Sequence, residues 1–369
     1  MPRNEATLAR NRVILAGLVA MNLATRITLV LCVLYVAFLL AGAASQLVDF
    51  IHRYFLLRER DSLYKVYAGA DTPGTWAVVT GASSGQGREF ALHLADRGFH
   101  LLLLGSVRCE ATADLVRAKG VECTVVVKDF GKAFEPGFFD DIRAAVAPLD
   151  VAVLVNNVGH RTGWKPYHEA PPESLSATIA CGTLVQARLT HLLLPQLLAR
   201  LSNHPERRSA VVFVTAQCSL PNAGLSAPGY AENPITVPYL ATYEASNAFG
   251  YYHAASLIKE YTPEHPRLDL LNITPGAVLT ENTAHTLSGT PFAVSADAFV
   301  GTVMRFLGGN VANGSTCAHW GHALSAAFVG VAPWRKEPTL REVGERLAGD
   351  CMKRYGERRG RYVVGGAGQ

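Results

Sequence analysis

A chain of 369 residues with 49% hydrophobic composition can bury a full core, enough for two domains or for one α/β domain with extensions. Its formal net charge is only +4 and its 34 basic residues are scattered, which excludes a surface built for nucleic acid. Seven cysteines (Cys32, Cys109, Cys123, Cys181, Cys218, Cys317, Cys351) show no CxxC and the twelve histidines no HExxH, so free thiols in a reducing compartment are expected and zinc chemistry is not.

Residues 1–60 read as a membrane anchor. Ile27 to Val48 carries no charge over 22 residues, enough to cross a hydrocarbon core of about 30 Å, with Arg26 closing one end and Asp49, His52, Arg53 and Tyr54 marking the other. Residues 13–24 are also apolar but too few to span alone, and are read either as interfacial or as an extension of the anchor. A cleaved signal peptide ending in the small residues at 41–45 is the rival reading, but the apolar run is longer than an ordinary signal core. Basic residues flank both ends equally (Arg3, Arg10, Arg12, Arg26; Arg53, Arg58, Arg60, Lys65), so orientation is not legible.

From Thr75 the pattern changes. TWAVVT reads as a buried strand and runs directly into GASSGQGREFALHLADRG, with Gly81, Gly85 and Gly87 where strand turns into helix. Glycines at that turn let backbone and helix N-terminus approach a pyrophosphate. Further apolar runs follow at 100–105, 121–130, 151–157, 209–216 and 268–276, with helical segments between. Such alternation predicts a doubly wound α/β fold, a Rossmann-like parallel sheet covered on both faces. Beyond it, Ala318–Val331 is apolar and reads equally as a bilayer-facing segment framing a lipid pocket or as a buried helix. The run KRYGERRGR near the end is a solvated tail or a lipid-headgroup patch. Asn313-Gly-Ser and Asn272-Ile-Thr match the glycosylation sequon, the second inside a predicted core strand.

With TGASSGQG, VLVNNVG and YEASN, the stretch from Tyr64 to Pro338 resembles the short-chain dehydrogenase/reductases, in particular their membrane-anchored branch of 3-ketoacyl-CoA reductases and type 12 17β-hydroxysteroid dehydrogenases. The resemblance implies a dinucleotide-binding domain over 64–310, an extension over 311–369, a lipid ketone (acyl-CoA or steroid) as substrate and a homodimer. It also implies an endoplasmic reticulum location with the domain in the cytosol. It places Gly81, Ser83, Gly85 and Gly87 at the cofactor phosphates, Asp129 at the adenine, Asn156 and Gly159 on the adenosine side, and Pro275, Gly276 and Thr280 at the nicotinamide. No carboxylate follows the second strand; Gly105, Ser106 and Val107 lead to Arg108, which favours NADP(H) over NAD(H) if Arg108 is more than a solvated loop residue.

The catalytic positions are depleted. Tyr243 matches the family's tyrosine, while Asn247 stands at the lysine, Ala216 at the serine and Gly182 at the asparagine, thirteen residues before Pro195. A free phenol titrates near 10, and without lysine its ionised form has no nearby cation; Asn247 retains only a hydrogen bond to the ribose. Alternation points Thr215 away from the site, and Cys218 is a poor donor. Ala216 precedes Tyr243 by 27 residues, 14 more than the family's usual spacing, and the excess falls in a proline-rich insertion over 219–240 that is read as lid, plug or partner surface and holds Tyr230 and Tyr239. Two functions follow: an NADPH-dependent reductase of a lipid ketone with Tyr243 as acid, or a dinucleotide-binding scaffold or sensor without chemistry.

Overall fold

The computed structural model describes residues 2–69, 74–161, 166–217, 239–281, 283–309 and 313–331, with 349 and 353. The chain divides into two units, Met1–Leu57 and Arg58–Gln369. Residues 219–238 of the insertion, Cys218, Cys351, Tyr230 and nearly all of the basic tail lie outside the described residues.

In the first unit, Pro2–Ile51 is one uninterrupted helix (α1) of 50 residues, about 75 Å long at its normal rise. The two apolar segments are therefore continuous. No glycine or proline separates them, and Thr25 Oγ1 donates to the Met21 carbonyl at 2.8 Å, so the polar step at Thr25–Arg26 is absorbed within the helix. Val33, Phe38 and Leu40 are exposed, like the rest of the apolar surface. Arg10–Leu56 is long and apolar enough to be a candidate membrane span.

The second unit opens with a short helix, α2 (Leu63–Ala68). Then β1 (Thr75–Thr80), α3 (Gly85–Asp96), β2 (His100–Gly105), α4 (Cys109–Arg117), β3 (Cys123–Val127), α5 (Asp140–Val146) and β4 (Asp150–Asn156) alternate. There follow α6 (Pro172–Ile179), α7 (Val185–Asn203), β5 (Ser209–Val214), α8 (Ala241–Tyr261) and β6 (Leu268–Ile273). The chain continues through β7 (Val278–Leu279), α9 (Ala284–Leu287), β8 (Val294–Ser295), α10 (Ala296–Met304), β9 (Gly314–Thr316) and α11 (Trp320–Val331). Seven strands form one parallel sheet in the order β3-β2-β1-β4-β5-β6-β9. Every residue of β1 and β6 is buried, as expected of strands covered on both faces. This is the Rossmann-like sheet that the apolar runs predict: β1 and β2 match their runs, β4 is offset by one residue, and β3, β5 and β6 are five, two and three residues shorter because those runs include loop residues.

The amino-terminal edge of the sheet carries a buried polar knot. Asp269 accepts from Arg208, from the Tyr67 hydroxyl, and from the Gly308 and Gly309 backbone N–H at 3.0 and 3.2 Å. Arg200 binds Asp150 at 2.7 Å and donates to the Tyr67 carbonyl, so α2 is tied to the sheet at two points. Burial, and then the Asp269 carboxylate, push the Tyr67 phenol up, which keeps it a donor. Asp269→Ala would strand Arg208 and Tyr67 in the interior, a loss of about 3–5 kcal/mol. The full chain in detergent should then melt on the order of 10 °C lower. Tyr67→Phe, losing one hydrogen bond, should shift it by only a few degrees. Equal melting temperatures for Asp269→Ala and wild type would remove the knot from the account of stability.

The short strand β9 sits beyond β6 because Asn313 prepares the edge. Its Oδ1 accepts from Leu270 N at 3.1 Å, and its Nδ2 donates to the Leu268 carbonyl at 2.8 Å and to Thr262 Oγ1 at 3.0 Å. Asn272 is fully buried and donates to Ser315 Oγ at 3.0 Å. Both sequons thus hold asparagines committed to the fold.

Candidate cofactor and active site

At the end of β1 the Thr80 hydroxyl accepts from the N–H groups of Asn157 and Val158 at 2.8 and 3.0 Å, and Asn157 Nδ2 returns a bond to the Thr80 carbonyl. The turn after β1 is thereby locked to the turn after β4. Gly81 and Gly85 have φ of +66° and +56°, a region that favours glycine. Gly87 is required for space: a methyl group there would stand 2.2 Å from the Gly81 carbonyl oxygen and 2.6 Å from Asn157 Nδ2. The N-terminus of α3 therefore opens directly onto a cleft of about 690 Å³, lined by Ser83, Ser84, Gly85, Gly159 and Thr280 among others.

Where the adenosine is expected, the cleft is lined by Gly105, Ser106, Arg108 and Asp129. A methyl group on Gly105 would meet Cys109 Sγ at 2.9 Å, so a carboxylate has no room at the strand end. Burial, more than the neighbouring Glu110, pushes the Cys109 thiol up to about 11, and it stays a neutral packing group. Ser106 Oγ is buried with no hydrogen-bond partner. Arg108 is exposed at the rim, and Asp129 is fixed by accepting from Gly131 N at 3.1 Å. Lys128, not singled out from the sequence, also lines the cleft, yet it pairs with Asp141 at 2.6 Å.

A smaller cavity of about 100 Å³ adjoins the cleft through Asn157, Gly159 and His160, which line both. Tyr243, Ser246 and Asn247 enter it from α8, with Thr178, Gly182 and Gln186 on its other side. Asn156, expected on the adenosine side, instead lines this cavity; Nδ2 donates to Thr190 Oγ1 at 3.0 Å while Oδ1 is buried without a partner. Thr215, expected to face away, lines it too. Strand β5 stops at Val214, so alternation no longer governs the next residue. Its hydroxyl is committed to Asn272 Oδ1 at 3.0 Å. Ala216 lines neither cavity and offers no donor.

Two of the substituted positions are tied into the local structure. Asn247 Nδ2 donates to the Tyr243 carbonyl at 2.9 Å, bonding its own helix. Gly182 lies in a wide turn, Ala180–Leu184, that joins α6 to α7, and a methyl group there would stand 2.6 Å from the Ser246 Cβ. Close approach of α8 to this bulge therefore needs glycine. Gln186, four residues on, donates to the Gly182 carbonyl. Burial, partly offset by Asp129, lowers the His160 pKa, so its neutral ring is favoured. Gln86, Asn157 and Gln186 were missed from the sequence; the first two sit inside motifs already quoted, and nothing local marks Gln186.

The loop expected at the nicotinamide begins where Gln217 N donates to the Pro275 carbonyl at 2.8 Å; Gly276 follows, and Thr280 ends against Gly85 of the glycine turn. Pro275 and Gly276 line neither cavity.

A family model described as short chain dehydrogenase matches residues 75–290. The very-long-chain 3-oxoacyl-CoA reductase of Aspergillus clavatus is 29% identical over 264 residues, which cover 69% of this chain and 70% of that protein. Human 17-beta-hydroxysteroid dehydrogenase type 3 is 26% identical over 264 residues, covering 70% and 76%. Among solved structures, a 7beta-hydroxysteroid dehydrogenase superposes with a TM-score of 0.61 at 21% identity, covering 76% of this chain and 99% of its own. A short-chain dehydrogenase from Sphingobium yanoikuyae in complex with NADPH gives 0.53 at 22% identity, covering 70% and 95%. These structural likenesses show the shared fold. The family match spans more than half of the sequence, and the chain belongs to the short chain dehydrogenases, an oxidoreductase family that binds NAD(P).

Proposed function

We propose that the chain binds NADP(H) at a membrane and serves there as a dinucleotide-binding scaffold or sensor, its proton-donating apparatus reduced to Tyr243. One observation carries this reading: among the described residues lining the cavity around Tyr243 none is lysine or arginine, and Asn247 bonds its own helix. Gly81, Ser83, Gly85 and Gly87 would hold the phosphates, and the unpartnered Ser106 hydroxyl with Arg108 fits a ribose 2′-phosphate better than a bare diol. Asp129 and Gly159 would line the adenosine, with Thr280 nearer the nicotinamide. NADPH, when bound, supplies a hydride. At Ala216 no serine hydroxyl is present to orient a carbonyl.

A second reading, reduction of a long-chain 3-ketoacyl-CoA or a steroid, is favoured by the Tyr243 phenol in the cavity, since ketone reduction needs a proton donor of that kind. It is also favoured by the acyl-CoA and steroid enzymes among the relatives. Exposed Phe249 and Tyr252 on α8 support pairing with a second copy. An endoplasmic reticulum location with a cytosolic domain accords with the free thiols among the described residues.

Titration of the full chain in detergent should show NADPH binding more tightly than NADH, and no loss of NADPH absorbance on adding a long 3-ketoacyl-CoA. Steady oxidation would establish the second reading; absence of binding to both nucleotides would end the first. For the anchor, the chain should stay in the pellet through alkaline carbonate washing, and deletion of residues 1–57 should release it. Full-length protein in the supernatant would overturn the spanning assignment.

A further inference from the structure

The segment from Pro275 to Thr280 is held at both ends. At its far end Thr280 packs its methyl against Gly85, where an added Cβ would meet it at 2.9 Å. At its near end Gly276 lies between two side chains: a methyl group there would stand 2.7 Å from Gln217 Oε1 and 2.9 Å from Cδ2 of the His322 ring. Next along the chain, the Ala277 carbonyl is 3.3 Å from His322 Nε2. Gln217 closes the triangle, donating to the His322 carbonyl at 2.7 Å and to Ser325 Oγ at 3.2 Å. Gln217 follows β5, Gly276 follows β6 and His322 belongs to α11, so three elements meet on one glycine.

The ring is built to stay neutral. Burial, and then the neighbouring His319, push the His322 pKa down to about 4, against the pull of the Ala277 and Phe292 carbonyls. A neutral imidazole has one N–H, and placing it on Nε2 gives Ala277 its donor. α11 also packs against Phe292, just before β8, the strand that pairs with β7 of the loop. Phe292, at φ +62°, rests its ring on Trp320 at 5.5 Å and its Cβ against Gly321. A bulky residue in that region is strained and persists only where its surroundings hold it.

We propose that His322 is a positioning residue: through its ring and its bond to Ala277, α11 sets the height of the Pro275–Thr280 loop and so the seat of the nicotinamide end of the cofactor. The proposal rests on the NADP(H)-binding reading. His322→Phe keeps a ring without the donor, and His322→Ala removes both. Each should weaken NADPH binding to the full chain by about tenfold or more, the size of one well-placed contact. Adenosine 2′,5′-bisphosphate, which lacks the nicotinamide half, should bind each variant within about twofold of wild type. Unchanged NADPH affinity, or parallel loss of both ligands, would overturn the positioning role. Wild-type protein that binds neither ligand would instead bring down the cofactor reading and this inference with it. Wild-type hydrogen exchange covers the case in which the variants do not fold. NADPH, but not the bisphosphate, should slow exchange at 277–279 and at 322–325 together; protection of the loop without α11 would refute the coupling.

Discussion

Gly87→Val should abolish measurable NADPH binding, with an affinity loss of at least about a hundredfold by calorimetry. The side chain would have to occupy space 2.2 Å from the Gly81 carbonyl, which is backbone and cannot swing aside. Either α3 moves away from the turn or the turn opens, and both withdraw N–H groups from the phosphate position. Overpacking of this kind costs about 1–3 kcal/mol of stability, so the melting temperature should fall as well. Gly120→Ala is the control. It has a positive φ, +84°, as Gly81 and Gly85 of the turn do, but an added methyl group there has nothing within 4 Å, so it should lose a little stability and no affinity. NADPH binding by Gly87→Val at wild-type strength would remove the phosphate assignment.

Restoring the site should raise activity sharply, though not by the simplest route. Ala216→Ser with Asn247→Lys returns a carbonyl donor and a cation beside Tyr243. Donors at such sites are worth about 3–4 kcal/mol, so NADPH oxidation with a long 3-ketoacyl-CoA should rise at least about a hundredfold over the parent. Asn247→Lys alone should lower the titration of Tyr243 without matching that rate. Adding Gly182→Asn should be harmful, because its Cβ falls 2.6 Å from Ser246. That triple variant should melt several degrees below the double one. Ser246→Gly, at about 1 kcal/mol of helix propensity, should recover part of the loss. If the parent turns over as fast as the double variant, another residue carries the proton.

The sheet was legible because its central strands are buried on both faces and read as apolar runs between Thr75 and Ile273, while the edge strand β3, only partly buried, still carries a valine run. β9 was not, since Gly-Ser-Thr has no apolar pattern and its place is set by Asn313 and by pairing with β6. The glycine turn and Tyr243 were legible as chemistry at fixed spacing. The wide turn at Ala180–Leu184 was hidden because apolar periodicity runs through it unchanged. What makes Gly182 necessary is Ser246, 64 positions away, and no local window holds both. Thr215 was misread because alternation was extended past the end of β5. His322 lay inside an apolar stretch whose overall character drew the eye away from its one buried ring.

A sugar transferase meeting the folded domain would find neither of its target asparagines open. Both amide hydrogens of Asn313 are engaged, by Leu268 and Thr262, and Asn272 is sealed in β6. Modification ahead of folding would remove the amide that lets β9 dock, and would leave the edge of β6 bare. A glycan test of which face of the bilayer this unit occupies should therefore rely on a grafted acceptor. The turn at Gly120, between α4 and β3, offers open space for one without touching the cleft.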